Sequence, residues 1–87
     1  MLKGTTQSGF KFTVVEENLD DMELIELIAG VDENALLLPK LLNKVLGEKQ
    51  KKRLYNHCRN TKGVVPTEAV SNELTSIFDR VKALKNS

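Results

Sequence analysis

Val70, Leu74, Ile77, Phe78, Val81 and Leu84 recur at intervals of three and four residues, the spacing of one helical stripe. Pro66 stands where a first helical turn tolerates proline, so the pattern predicts a helix over 66–84 with a single apolar face. That face has to be covered, and in a chain of 87 residues one domain must supply all the cover. A domain this small buries only about 60–65% of the surface its unfolded chain exposes. Two prolines, five glycines and 40% hydrophobic residues argue for folding rather than disorder.

The start of the chain reads differently. In FKFTV, Phe10, Phe12 and Val14 alternate with Lys11 and Thr13, the period of a half-buried strand. Ser8 and Gly9 precede it as a turn signal, which makes 3–6 the partner strand of a hairpin within residues 1–15. A lone two-stranded hairpin is marginal in water, so its apolar face is expected to lie on helices. Three further helices are predicted. The first spans 20–31, with Asn18 as N-cap and acids in its first turn; its apolar residues cover more than half the circumference, so it wants cover on two sides. A second helix over 38–46 carries one stripe of leucine and valine and stops at Gly47. The third, over 48–60, has a narrow inner stripe of Lys51, Leu54, Tyr55 and Cys58. The expected fold is therefore α+β and mostly α: a single domain over 1–87, with an N-terminal β-hairpin packed on about four helices.

Charge is segregated along the chain. Residues 16–33 carry eight acids and no base, whereas residues 40–62 carry eight bases and one acid. Two arrangements satisfy such blocks: attraction within the fold, or complementary faces that join one copy to the next. The basic run also raises nucleic acid. Lys49, Lys52, Arg53 and Arg59 form a candidate phosphate-binding face within 49–59. Against it, the only Tyr lies on the inner stripe, and with no Trp in the chain aromatic platforms for stacking on bases are scarce. A solvated helix face accounts for the same residues.

No pattern points to catalysis. His57 and Cys58 are neighbours on a helix and so point about 100° apart. With one His and one Cys in the chain, no zinc set can be assembled from these residue types. The acidic stretch DDMELIELIAGVDEN lacks the spacing of a calcium loop. No cofactor, metal or catalytic residue is expected. The lone Cys, with no internal disulfide to form, is in keeping with a reducing cytoplasm. The N-terminus lacks the apolar core of a signal peptide, and the longest apolar run, 35–38, is far short of a membrane span.

Taken together, SGFKFTV, LDDMELIELIAGVDENALLLPKLLNKVLGEKQKKRLYNHCR and GVVPTEAVSNEL resemble the tail assembly chaperones of long-tailed phages and prophages of Gram-positive bacteria, over roughly residues 8–80. The resemblance implies a mainly helical, non-enzymatic protein of the bacterial host's cytoplasm. It implies a protein that coats the tape-measure protein before the tail tube polymerises, self-associates, and is often made also in a longer, frameshifted form. The expected partners are the tape-measure protein, further copies joined through the acidic (16–33) and basic (40–62) segments, or both. Contact is expected through whichever of Leu24, Leu27, Ile28, Leu37, Leu38 and Leu41 stand exposed, the others being core. A small nucleic-acid-binding or regulatory protein, and a minor connector protein of the virion, are the alternatives.

Overall fold

The computed structural model describes residues 1–85. Strands β1 (Leu2–Thr5) and β2 (Lys11–Val14) pair antiparallel, with Leu2 opposite Val14 and Gly4 opposite Phe12. The expected partner strand thus begins one residue earlier than its pattern indicates. The turn between the strands closes through the Thr6 amide on the Phe10 carbonyl (2.9 Å) and the Gly9 amide on the Thr6 carbonyl (3.0 Å). Gly9 sits at φ 96°, where a side chain is strained. Gly4 is needed for a different reason: a Cβ there would stand 2.8 Å from the Phe12 ring, which lies across β1.

A 3-10 turn (Glu16–Leu19) leads to helix α1 (Met22–Val31). The helix starts two residues later than predicted because Asp21, not Asn18, caps it: Asp21 Oδ1 accepts from the Glu23 amide at 2.9 Å. A second 3-10 turn (Ala35–Leu37), capped by the Asn34 side chain, runs straight into α2 (Leu38–Cys58). The two helices expected over 38–46 and 48–60 are here one kinked element, so the described residues form three α-helices rather than about four. Gly47 alone leaves helical geometry, at φ 80° and ψ 165°, and no loop separates the two halves. The far end closes at Cys58, since Arg59 turns to extended backbone. The Asn60 side chain then accepts from the Lys62 and Val64 amides, and α3 (Thr67–Lys85) follows.

Gln50 ties the kink to the sheet. Its amide nitrogen donates to the Leu46 carbonyl (2.8 Å), in the turn before the kink, and to the Thr13 carbonyl (2.7 Å), while its oxygen accepts from the Thr13 amide (2.8 Å). Arg53 donates to the Lys11 carbonyl two residues away along β2. The free edge of β2, which would otherwise present unpaired backbone groups, is in this way covered by the second half of α2.

The core forms where the layers meet. Phe10, Phe12 and Val14 from the hairpin join Leu24 of α1, six apolar residues of α2, and Val70, Leu74, Ile77 and Val81 of α3. Burying each such side chain contributes about 1.5–3 kcal/mol against leaving it in water.

Candidate partner-binding surface

Helix α1 buries only one of its apolar residues, Leu24. Ten residues at 100° per residue put Leu24, Leu27 and Val31 toward the protein, while Met22, Ile25, Ile28 and Ala29 form a second stripe facing away. Met22 is 68% exposed, Ile25 52% and Ile28 39%. Beside this stripe runs an apolar groove between α1 and α3, with Leu24 as its floor and Leu19, Ile25, Ile28, Phe78 and Val81 as its walls. Leu19 also borders an adjoining hollow lined by Glu16, Glu17 and Asp20. The end of the groove at α1's N-terminus is therefore acidic.

The six leucine and isoleucine positions named from sequence separate sharply. Leu24, Leu38 and Leu41 are core, the last only 1% exposed, and so fall among the members expected to pack rather than stand exposed. Leu27 and Leu37 are half-buried, and Ile28 stands on the outer stripe. Met22, Ile25 and Phe78 were not among the contacts expected from sequence, where Phe78 counted only as part of the 66–84 stripe. A helix apolar over more than half its circumference signalled two faces without saying which residues took which. A second apolar cleft, between α2 and α3, is lined by Leu38, Pro39, Tyr55, Val65 and Val70, with Leu36 projecting 86% exposed at its mouth.

The charge blocks meet where Glu23 and Glu26 of α1 line a hollow with Lys40 and Lys44 of α2, but they form little close ion pairing. Among the described residues, the one ion pair between them joins Lys44 Nζ to Asp21 Oδ2 at 2.8 Å. That hydrogen bond holds the Asp21 carboxyl below its usual range and the Lys44 ammonium above its own. The other acids of 16–33 make no ion pair among the described residues.

On the basic side, two of the four residues of the candidate nucleic-acid face are employed in the fold. Arg53 holds the Lys11 carbonyl and lies over the Phe10 ring at 5.2 Å, and Arg59 donates to the Gly63 carbonyl at 2.9 Å. Lys49 and Lys52 remain exposed. Tyr55 is half-buried beneath Lys51, whose ammonium lies 5.9 Å from the ring centre.

A polar knot that the sequence did not reveal fastens the hairpin to α2 and α3. Buried Glu73 accepts through Oε1 from the Thr6 and Ser8 hydroxyls, each at 2.8 Å. Ser8 Oγ also meets His57 Nε2 at 2.8 Å. Serine, histidine and carboxylate are thus together, with the Ser8 hydroxyl placed between Glu73 Oε1 and His57 Nε2. Burial and the Glu73 charge push the Cys58 thiol above its ordinary value, away from the reactive thiolate. No group of three or more metal-binding side chains occurs among the described residues. Nor is any helix among them long and apolar enough to cross a membrane.

These features define a small hairpin-and-helix protein with an exposed apolar stripe on α1 and further exposed apolar residues at Leu36 and Val64. No protein-family model matches the chain, and no curated protein or solved structure matches it.

Proposed function

We propose that this chain is a non-enzymatic protein-binding module of the bacterial cytoplasm, acting as a tail assembly chaperone that keeps a tape-measure protein soluble before tail polymerisation. The observation that carries the reading is the outward stripe of α1, where Met22, Ile25 and Ile28 stay exposed in a chain with little core to spare. The largely unpaired acidic and basic blocks give a charged surface suited to a long partner, to further copies, or to both. The resemblance in LDDMELIELIAGVDENALLLPKLL and LGEKQKKRLYNH supplies the identity of the partner.

The test is co-expression with the tape-measure reading frame from the same phage genome. Under this reading the tape-measure protein moves from the insoluble to the soluble fraction and co-purifies with the chain after nuclease treatment. A tape-measure protein that stays insoluble, with only nucleic acid retained on the chain, removes the reading. It would then favour the basic face of 49–59, of which Lys49 and Lys52 are the residues left to contact phosphate.

A further inference from the structure

The geometry points to the groove between α1 and α3 as the seat of one kind of partner segment: an amphipathic helix of about three turns whose apolar stripe is flanked by Lys and Arg. This rests on the protein-binding reading above and specifies where and what that surface binds. The groove is walled by side chains of two helices, Ile25 and Ile28 on one side and Phe78 and Val81 on the other. It presents no strand edge; the edge of β2 is already held by Gln50 and Arg53. A segment lying there must satisfy its own backbone, which a helix does. Ten residues of α1 span about 15 Å, the length of about three helical turns.

Charge selects the flanks. Glu16, Glu17 and Asp20 gather at the Leu19 end, and Asp32 follows Ile28 by one turn on the same side of α1. None of these four makes an ion pair among the described residues. Lys82 is the one base in the groove lining. An acidic helix would meet like charge at both ends, and a basic one finds partners there.

The same argument disfavours a second copy of this chain. Its basic helical surface exposes Lys49, Lys52, Arg53, Asn56 and His57, with no apolar residue among them to fill the groove. Its α1 is apolar enough but would set acids against acids. Leu36 and Val64, exposed elsewhere, lie on a 3-10 turn and a loop rather than on a helical stripe.

The experiment is a titration of the full, isotope-labelled chain with two synthetic helical peptides of about 14 residues, followed by amide NMR shifts. Both carry leucines at i, i+3, i+4 and i+7; one is flanked by Lys and Arg, the other by Glu. The expected result is that the basic peptide shifts the amides of Leu19, Ile25, Ile28, Phe78 and Val81 and binds at least about tenfold tighter than the acidic one, with the difference shrinking at high salt. Ile25→Asp, at a half-exposed site, should weaken the basic peptide by at least about tenfold. Glu16→Lys with Glu17→Lys should narrow or invert the preference, and this variant leaves the core untouched if Ile25→Asp misfolds.

Binding by neither peptide overturns the inference. So do equal binding by both, shifts centred on the Leu36–Val65 cleft, or groove shifts that grow with protein concentration alone, which would mark a second copy. A tape-measure protein still solubilised by Ile25→Asp sinks the groove and leaves the chaperone reading. Groove binding by the basic peptide without tape-measure capture does the reverse.

Discussion

Glu73 lies on the boundary of α3's apolar stripe, next to Leu74, and nothing within its own helix marks it as special. Its partners, Thr6 and Ser8, stand 67 and 65 residues away in sequence. Glu73→Ala takes the acceptor from the buried Thr6 hydroxyl and from Ser8, which is exposed and keeps His57, and should cost about 2 kcal/mol, read as a lower urea midpoint with unchanged slope. Glu73→Gln keeps the acceptor and the shape, so its loss should be smaller, about 1 kcal/mol. The same variant has a second readout. Because the Glu73 charge helps hold the Cys58 thiol protonated, Glu73→Gln should speed reaction with a disulfide reagent at neutral pH, whereas the native chain reacts more slowly than its urea-unfolded form. A native rate equal to the unfolded one would mean that the thiol is not protected. Asp21 belongs to this scale too. Its carboxyl is held low by Lys44 and by the Glu23 amide, so its contribution is present above the ordinary carboxylate range and lost as pH falls through the depressed value. Asp21→Asn keeps a capping oxygen and should flatten that acid-side loss, followed as unfolding free energy against pH. If the native and variant curves stay parallel down the acid limb, the pair contributes nothing.

Among the elements, α2 carries the most information about what can be read without a structure. Its apolar spacing and Gly47 correctly place the break, yet sequence cannot say whether a glycine starts a loop or only bends an axis. That depends on whether the groups around the bend find partners, and here Gln50 bonds the Leu46 carbonyl. Gln50 also serves Thr13, 37 residues distant, so a side chain that reads as part of a solvated basic run works as the neighbouring strand of β2. Arg53 was legible as charge and illegible as a sheet contact for the same reason. The hairpin and the α3 stripe were readable because alternation and helical spacing are local. The outer stripe of α1 was visible only as an excess of apolar positions, since which of them are covered is decided by α2 and the 3-10 turn before it. Gly47→Ala should destabilise by about 1–3 kcal/mol: the left-handed backbone is strained with a Cβ, although nothing lies within 4 Å to clash with it. Gln50→Ala should leave α2 helical but expose the Thr13 amide, whose hydrogen exchange would accelerate well beyond that of β1. Unchanged Thr13 protection would show that the edge is closed by something else.

Over the whole molecule, acidic and basic halves share one fold while forming a single, partly exposed ion pair with each other among the described residues. Such a solvent-screened pair contributes little, so raising salt from about 20 to 500 mM should lower the Tm by no more than about 8 °C. A larger drop would mean that the blocks hold the fold together at longer range. The tie between the hairpin turn and α3 has a further consequence, for the newborn chain. A ribosome delivers Phe10 and Phe12 first, and the helix that pins the turn beside them only about 65 residues later. At about 5–20 residues per second, translation leaves these two rings without their final cover for several seconds. A hairpin of two strands does not hold itself closed through such a wait. Until α3 has emerged, Phe10 and Phe12 are therefore open to whatever apolar surface they meet first.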